Sequence, residues 1–357
     1  LLGTSVPGAM RKELFAENSC LLLRAAPQIQ EHGDISVPMV MEHPDADYSR
    51  AVRHIARYIS NNLVGLVLGS GAALGLAHVG VLKVLEREKI PIDIISGSSI
   101  GALIGALYAV SQDAEKLESI AMEMNLWLLM SRLVDVNLLP IRGLLRGKEV
   151  VKHFNRHLKD KTFEHCRIPL KIVGANLSTR QIHVFESGSV SDAVRTSIAI
   201  PAIFDPIFMN GDVLVDGGIL SPLPIRVLHK AGANKIIAVN VFPSSKDTLE
   251  RRIIMEEAAE KEKMALRRKN FFIRALYRSK KFFLKRFSPN VFDILMNTIQ
   301  FMESEIADIE AESADVLIRP IVANASWVEF YKPANFIKRG EEEAIKMLPK
   351  IKALVLQ

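Results

Sequence analysis

Residues 63–110 read LVGLVLGSGAALGLAHVGVLKVLEREKIPIDIISGSSIGALIGALYAV, and this stretch decides the fold. It contains two apolar segments, VGLVL (64–68) and IPIDIIS (90–96), whose composition is typical of buried strands. Each is followed by a glycine-rich turn and then by an apolar stretch with helical character, at 76–88 and 102–110. Two successive strand–turn–helix units are typical of a parallel sheet covered by helices, so we predict a three-layer α/β/α fold with a mainly parallel central sheet.

The rest of the chain continues this pattern. LKIVGANL (170–177) and QIHVFES (181–187) are predicted to form a strand pair, and a further strand, DVLVD (212–216), precedes another glycine turn. Two more strands are predicted in KIIAVNVF (235–242) and ADVLIRPIV (314–322). The remaining predictions are a strand in CLLLRA (20–25), helices in YSRAVRHIARYIS (48–60) and over about 247–300, and an amphipathic helix in the last twenty residues.

Composition limits the class of protein. The chain has 357 residues, of which 49% are hydrophobic, enough for one large domain or two ordinary ones. Its two cysteines, Cys20 and Cys166, are far apart in sequence, which indicates a reducing compartment and argues against a disulfide framework or a zinc site.

We see no run of about 18 apolar residues and no signal peptide, so we expect a cytoplasmic protein without a spanning helix. The chain starts at Leu1, as expected for a fragment or a processed form.

A serine lies at the centre of the second turn. Residues 97–101, GSSIG, follow the pattern G-x-S-x-G with Ser99 in the middle. Where a strand turns sharply into a helix, flanking glycines allow the two elements to pass closely, and the serine is forced outward at the positive end of the helix dipole. This geometry is typical of a nucleophile, but a serine that only caps the helix N-terminus fits the same five residues.

A nucleophilic serine needs a base. Of the nine histidines only His229 follows Asp216, and it lies at the end of a predicted helix, so the chain order Ser–Asp–His of a triad hydrolase is disfavoured. A carboxylate is the alternative base, and Asp216 ends a predicted strand directly before Gly217 and Gly218. A turn in which the aspartate is only a cap would explain the same residues.

The first turn, GSGAALG (69–75), also has two interpretations. It fits a loose dinucleotide-binding loop, but that function needs an acidic residue at the end of the second strand, and Asp93 lies inside the predicted strand. Alternatively, its backbone N–H groups form an oxyanion hole. Because the carboxyl ends of parallel strands meet at one edge of the sheet, we expect this loop and Ser99 to be neighbours, as an acyl-transfer site requires.

Together, the glycine loop, the G-x-S-x-G and the distant D-G-G resemble the patatin-like phospholipase family. The late segment ADVLIRP and the lead-in DYSRAVRHIARYISNN resemble the branch that contains neuropathy target esterase. The segments GLAHVGVLKVLE, GALIGALYAV, SIAIPAIFDPI and LVDGGILSPLP match that family as well. The resemblance is strongest over about residues 62–245. It implies a patatin-like α/β/α fold, a Ser–Asp dyad without histidine or metal, and carboxyl esters of lipids as substrates, including lysophospholipids in this branch.

The resemblance also implies a role for each matching residue. Ser99 matches the nucleophile and Asp216 the base of the family. The oxyanion hole is implied at Gly69, Ser70, Gly71, Ala72, Ala73, Leu74 and Gly75, the nucleophile elbow at Gly97, Ser98, Ile100 and Gly101, and the Asp-Gly-Gly motif at Gly217 and Gly218.

The glycine loop departs from the family pattern at three positions. Ser70 and Ala72 stand where the family has glycines, and such small residues preserve the backbone donors provided that their φ is negative. Leu74 stands where the family commonly has Arg or Lys. Either this change favours neutral or monoacyl esters, or Leu74 simply packs into the core.

The net charge of +6 originates in one segment. Residues 267–287, RRKNFFIRALYRSKKFFLKRF, carry nine Lys or Arg and no acid, so the rest of the chain has a net charge of −3. A helix would place four cations on one face and four apolar side chains on the other: Arg274, Arg278, Lys281 and Lys285 against Phe272, Leu276, Phe283 and Phe287. A solvated helix face, a nucleic-acid contact or a partner helix would also fit, but no nucleic-acid-binding motif is visible. For an esterase of water-insoluble substrates we predict peripheral docking on anionic membranes.

These observations predict a four-part organisation and a function. Residues 1–61 form a lead-in packed on the core, 62–245 the patatin-like catalytic core, 246–300 a basic amphipathic helical insertion, and 301–357 a strand and helix that complete the domain. The predicted function is a serine lipid acyl hydrolase that forms an acyl-enzyme and uses no cofactor. Its expected partners are a lipid ester and an anionic membrane surface, not nucleic acid. A patatin-fold protein that binds lipid with little turnover and a nucleotide-binding α/β protein stay open as alternatives.

Overall fold

The three-dimensional structure is a computed structural model, and it describes residues 41–43, 46–123, 156–243, 291–320, 325 and 329–356. Both predicted strand–turn–helix units and every residue of the predicted catalytic site belong to these ranges. The strand predicted at 20–25 and the basic segment at 267–287 lie outside the described residues.

One sheet organises the described part of the chain. Its strands are β1 (Val64–Leu68), β2 (Ile94–Ser98), β3 (Leu170–Asn176), β4 (Gln181–Phe185), β5 (Ile207–Met209), β6 (Asp212–Asp216), β7 (Lys235–Val239) and β8 (Val316–Ile318). Five of them run parallel in the order β8-β7-β1-β2-β3, whereas β4 and the hairpin β5-β6 join β3 in antiparallel pairings. The predicted mainly parallel sheet is therefore confirmed.

Helices cover both faces of this sheet. They are α1 (Asp47–Ile59), α2 (Ala77–Arg87), α3 (Ile100–Ser111), α4 (Ala114–Met122), α5 (Val190–Ser197), α6 (Ile225–Lys230), α7 (Val291–Ala311) and α8 (Pro333–Leu356). The core on one face contains apolar side chains of α2, α3, α4 and α8, and the core on the other face contains side chains of α6 and α7. Along β1, Leu66 and Leu68 join the first core and Val67 joins the second, as the alternation of side chains along a strand requires. The predicted three-layer architecture is confirmed.

Strand β3 brings two strands together end to end. On one of its edges it pairs with β4, so that Ile172 and Val173 lie opposite Phe185 and Val184. On the other edge its first half pairs with β2 and its last three residues pair with β6. Since β2 is parallel to β3 and β6 is antiparallel, the carboxyl ends of β2 and β6 approach each other along this edge.

Several predicted boundaries were wrong, and two of them bear on the site. Strand β2 begins at Ile94 rather than at residue 90. Pro91 has no N–H to donate to a sheet ladder, and the carboxylate of Asp93 accepts hydrogen bonds from the Val64 N–H (2.9 Å) and from Nε of Arg57 (2.8 Å). The helical stretch predicted to end near residue 300 continues as α7 to Ala311.

Helix α2, which follows the first glycine turn, is held by close backbone contact with α8. A Cβ atom added at Gly80 would overlap the carbonyl of Ile337 and would lie 2.7 Å from the N atom of Glu341. On the facing helix, a Cβ at Gly340 would overlap the carbonyl of Ala77. Since backbone atoms cannot rotate away as side chains do, both positions require glycine.

We predict that Gly80→Ala lowers the free energy of unfolding by about 1–3 kcal/mol, because the added methyl group forces α2 and α8 apart. This loss should appear although alanine has the better helix propensity by about 1 kcal/mol. Gly105→Ala in α3 is the matched control, because its nearest new contact is a side-chain atom, Cγ2 of Ile95, at 3.2 Å. Denaturant unfolding measures both variants, and an equal effect at the two positions would contradict the prediction.

Candidate active site

Ser99 occupies a strained turn between β2 and α3. Its backbone has φ 55° and ψ −124°, a region that residues other than glycine rarely adopt and that costs about 1–3 kcal/mol. The turn is also crowded: a Cβ at Gly97 would lie 2.6 Å from the carbonyl of Gly101, and one at Gly101 would overlap the carbonyl of Leu68. The chain thus turns sharply enough to present the Ser99 hydroxyl at the edge of the sheet.

Two hydrogen bonds fix the backbone of this turn. The N–H of Ser99 donates to Oγ of Ser197 at 2.9 Å, and the Ser197 hydroxyl donates in turn to the carbonyl of Val173 at 2.6 Å. All three residues are buried. Because the Ser99 N–H already has an acceptor, it is not available to a substrate oxygen, and any oxyanion donors must come from elsewhere.

Asp216 faces Ser99 across the junction of the strands. Ser98 lies opposite Val173 and Asp216 opposite Gly174, so the ends of β2 and β6 meet at consecutive residues of β3. The Ser99 hydroxyl donates a hydrogen bond of 2.6 Å to Oδ2 of Asp216. The N–H of Gly218 donates to the other carboxylate oxygen at 2.7 Å. The structure therefore brings together the two residues for which the sequence predicted the roles of nucleophile and base.

The two glycines after Asp216 allow other groups to approach it. A Cβ at Gly217 would overlap the carbonyl of Val173. A Cβ at Gly218 would lie 2.7 Å from Oγ of Ser70 and 2.8 Å from Oε1 of Glu303. Without side chains at these positions, the glycine loop and helix α7 can reach the immediate neighbourhood of Asp216.

The glycine loop presents backbone donors to the same pocket. Ser70, Gly71 and Ala72 line it together with Ser99 and Asp216. Within the described ranges no acceptor is found for the N–H groups of Gly71 and Ala72, which leaves them available to an oxyanion.

The start of the loop is anchored by three hydrogen bonds. The N–H of Gly69 donates to the carbonyl of Val239 (3.1 Å), and that of Ser70 donates to the carbonyl of Pro222 (2.8 Å). Nε2 of the buried His78 lies 2.8 Å from the carbonyl of Gly69, and burial lowers the pKa of this imidazole to about 4. A neutral His78 therefore serves as a donor that holds the loop.

The other loop residues have different surroundings. Ala73 is fully buried in the short 3₁₀ segment Ala72–Leu76. Gly75 packs so closely against Ile100 that a Cβ would overlap its side chain. Leu74 is half-buried and packs against the apolar core, which agrees with the packing alternative considered for this position.

Helix α7 covers the pocket. Four of its residues line the pocket with Ile200 and Phe242: Met296, Ile299, Gln300 and Glu303. The carboxyl group of Glu303 accepts a hydrogen bond from the Ser70 hydroxyl at 3.1 Å. Sequence reasoning predicted a helix as far as about residue 300 but did not assign it to the site, and it missed Ser197. Helical spacing places Glu303, Ala307 and Glu310 on one face, but nothing in the sequence distinguishes Glu303 from the other acids of the helix.

Burial dominates the electrostatics of the site. Loss of solvation raises the pKa of Asp216 well above the ordinary carboxyl range, although the hydrogen bonds from Ser99 and Gly218 favour its anion. Loss of solvation, and after it the charge of Asp216, raises the pKa of Glu303. A carboxylate with a raised pKa is a stronger base, so Asp216 is suited to remove a proton from a hydroxyl at neutral pH.

His229, the one histidine that follows Asp216 in the sequence, does not join this site. His229 lies in α6, where its Nδ1 is 3.0 Å from the carbonyl of Ala233, and it is not among the residues that line the pocket. No cluster of three or more His, Cys, Asp or Glu among the described residues is arranged to hold a metal ion. The eight predicted membrane-contact residues, between Phe272 and Phe287, lie outside the described residues.

Comparison with known proteins gives consistent matches. Residues 66–229 match the family model described as patatin-like phospholipase. Neuropathy target esterase sws of Drosophila melanogaster is 33% identical over 218 residues, which cover 58% of this chain and 15% of that protein. Lysophospholipase NTE1 of Candida albicans is 33% identical over 199 residues, 54% of this chain and 14% of that protein. The chain thus spans only about 15% of the length of these relatives. Among solved structures, VipD from Legionella pneumophila aligns with a TM-score of 0.41 and 16% identity, covering 81% of this chain and 67% of that chain.

The backbone of Ala72 corrects one expectation. Ser70 and Ala72 were expected to keep their backbone donors with a negative φ, but Ala72 has φ 48°, in the left-handed region. Ser70 is not among the residues with positive φ. Ala72 nevertheless lines the pocket, and its N–H has no acceptor among the described residues, so a donor is kept at the cost of backbone strain.

We therefore predict that Ala72→Gly raises the free energy of unfolding by up to about 1 kcal/mol, because glycine adopts this conformation without strain. The matched control is Ala73→Gly at the next residue, which is buried and has no left-handed backbone. There the same substitution should lower the free energy of unfolding by about 1 kcal/mol. Thermal or denaturant unfolding measures both variants, and a loss of stability in Ala72→Gly would contradict the prediction.

Proposed function

We propose that this chain, whose residues 66–229 match the patatin-like phospholipase family model, is a serine hydrolase of lipid carboxyl esters. The observation that carries the proposal is the hydrogen bond of 2.6 Å between the Ser99 hydroxyl and the Asp216 carboxylate. This pair lies in one pocket with glycine-loop residues whose backbone N–H groups have no acceptor in the described part of the chain. A nucleophile, a base and an oxyanion cradle in one pocket are the three components of acyl transfer.

The reaction proceeds in two halves. Asp216 takes the hydroxyl proton while Oγ of Ser99 attacks the ester carbonyl, and the resulting oxyanion binds the N–H groups of Gly71 and Ala72. The bond to the alcohol then breaks, the alcohol leaves with the proton from Asp216, and the acyl group stays on Ser99. In the second half Asp216 removes a proton from water, the hydroxide attacks the acyl-enzyme, and Ser99 regains its proton as the carboxylic acid departs.

The lining of the pocket supports a lipid substrate. Ile200, Phe242, Met296 and Ile299 offer apolar surface suited to an acyl chain. The described lining contains two carboxyl groups and no Lys or Arg, and Leu74 supplies no cation to the loop. This charge balance favours neutral, zwitterionic or monoacyl esters over anionic ones. Lysophospholipids are consistent with it, and a relative from Candida albicans carries the name lysophospholipase.

One observation favours a second function. The glycine loop carries a strained Ala72 where the family has glycine, and Ser99 itself is only 3% exposed beneath α7. A protein that binds lipid in the pocket but turns it over slowly would tolerate both features. Covalent labelling with a fluorophosphonate probe separates the two functions, since only an activated serine reacts.

We expect Ser99→Ala and Asp216→Asn each to lower the rate of ester hydrolysis by about three orders of magnitude or more, because nucleophile and base act as one unit. Ser99→Ala should also abolish fluorophosphonate labelling. Ser111→Ala at the other end of α3 and Asp212→Asn at the other end of β6 are matched controls that should stay active. The measurement is a screen of neutral esters of graded chain length, and substantial activity in Asp216→Asn would refute Asp216 as the base.

We also propose that the enzyme works as a peripheral protein on anionic membranes and docks through residues 267–287. No helix among the described residues has both the length and the apolarity to cross a bilayer. The nine cations and five phenylalanines of the segment suit an anionic interface. Each cation near such a surface contributes about 1 kcal/mol, and buried apolar side chains add to this.

Changing Arg274, Arg278, Lys281 and Lys285 together to Gln should weaken binding to anionic vesicles at least about tenfold, since four such contributions are lost. Co-sedimentation with vesicles of graded phosphatidylserine content measures the effect, and binding of the unchanged chain should fall as salt rises. The matched control removes four cations from α8 instead: Lys338, Lys346, Lys350 and Lys352. Equal losses in the two variants would indicate that only net charge matters and would reject the segment as the docking site.

A further inference from the structure

Glu303 is a buried carboxyl group that the two-residue mechanism leaves without a role. It projects from α7 into the pocket that contains Ser99 and Asp216, and only 9% of it is exposed. Its carboxyl group occupies the space that the missing side chain of Gly218 leaves free, and there it accepts the hydrogen bond from the Ser70 hydroxyl. An acidic side chain in such surroundings needs an explanation, because burying an unpaired carboxylate is costly.

The groups around Glu303 offer it no compensating charge. From β6 it faces Asp216, and from the glycine loop it faces the hydroxyl of Ser70. The part of the pocket lining that the structure describes contains no Lys, Arg or His. Two carboxyl groups that share a buried site cannot both be ionised easily, so one of them keeps a proton.

Hydrogen bonds decide which of the two carries the charge. Asp216 accepts two, from the Ser99 hydroxyl and from the Gly218 N–H, whereas Glu303 accepts one, from Ser70. Hydrogen bonds donated to a carboxylate favour its charged form. Asp216 is therefore the anion, as a base must be, and Glu303 is the neutral acid. Burial and, after it, the charge of Asp216 raise the pKa of Glu303, and this also favours its neutral form.

We propose that Glu303 is a positioning residue, an uncharged carboxyl group that holds the oxyanion loop in place through Ser70. The next residue along the loop is Gly71, whose N–H is the first in the proposed oxyanion cradle that has no acceptor within the described ranges. As long as Glu303 is neutral, it anchors the loop without adding charge near the developing oxyanion. Once it ionises, a second negative charge lies beside the site where the transition state becomes negative, and the rate falls. This inference rests on the proposed hydrolase function.

The pH profile of kcat/KM tests the proposal. In the unchanged chain the rate should rise as Asp216 ionises and fall again on the alkaline side as Glu303 ionises. Glu303→Gln keeps an uncharged acceptor for Ser70, so the alkaline fall should disappear while the rise at lower pH is kept. Glu303→Leu removes the acceptor and should reduce kcat at least tenfold more than Glu303→Gln does. Glu305→Gln, at an exposed position of the same helix, is the matched control and should keep the profile of the unchanged chain.

A second measurement does not depend on activity. A proton that the folded state holds above the ordinary carboxyl pKa makes the free energy of unfolding fall as pH rises from about 5 to about 9. Glu303→Gln should show a smaller fall over this range, and the remaining fall belongs to the other buried carboxyl groups with a raised pKa, Asp216 and Glu310. If no ester is hydrolysed at all, the proposed function fails, but this comparison still decides whether Glu303 carries a proton in the folded chain.

Three results would overturn the proposal. If kcat/KM falls at the same alkaline pH in the unchanged chain and in Glu303→Gln, the ionisation of Glu303 does not cause the fall. Equal losses of kcat in Glu303→Gln and Glu303→Leu would mean that an anion, not a neutral acceptor, is required. Parallel pH dependences of unfolding in the unchanged chain and in Glu303→Gln would mean that Glu303 holds no extra proton.

Discussion

The candidate active site depends on the way β3 pairs along one edge with two strands that run in opposite directions. Strand β2 follows β3 as far as the pair Ser98–Val173, and β6 arrives from the other side as far as the pair Gly174–Asp216. Because the two ends meet at consecutive residues, the side chains of Ser99 and Asp216 come within hydrogen-bonding distance. This arrangement also requires the strained turn at Ser99 and the glycines after Asp216, because they allow the neighbouring segments to approach closely.

Burial gives the site its chemistry and also its main energetic cost. Asp216 is 1% exposed, and without solvent its charged form depends on the hydrogen bonds that it accepts. The same low polarity raises its pKa, as the proposed role of a base without a histidine requires. A second carboxyl group, Glu303, lies in the same pocket, where burial and, after it, the charge of Asp216 raise its pKa. Helix α7 therefore does more than cover the pocket, because it adds a titratable group to it.

The glycine loop shows how a motif can change while its donors stay in place. The donors are backbone N–H groups, so side chains matter only through the space they occupy and the φ angles they allow. Ser70 takes an ordinary conformation and uses its hydroxyl to contact α7, whereas Ala72 keeps the left-handed conformation that glycine would adopt without strain. The two replacements thus differ in their effect: Ser70 adds a hydrogen bond to α7, whereas Ala72 adds backbone strain. Leu74 packs against the core.

The sequence by itself determined the layers, the parallel strands and the two turns that carry the glycine loop and Ser99, because periodicity and turn residues act over a few neighbouring positions. It also indicated Ser99 and Asp216, although a capping serine and a turn aspartate would look the same. Only the tertiary structure decided that β6 runs antiparallel and places its last residue at Ser99, since strand direction follows from pairing between segments far apart in the chain. The same holds for Ser197, for α7 over the pocket and for Glu303, which is one of several acids on its helix and differs from the others only by what it faces.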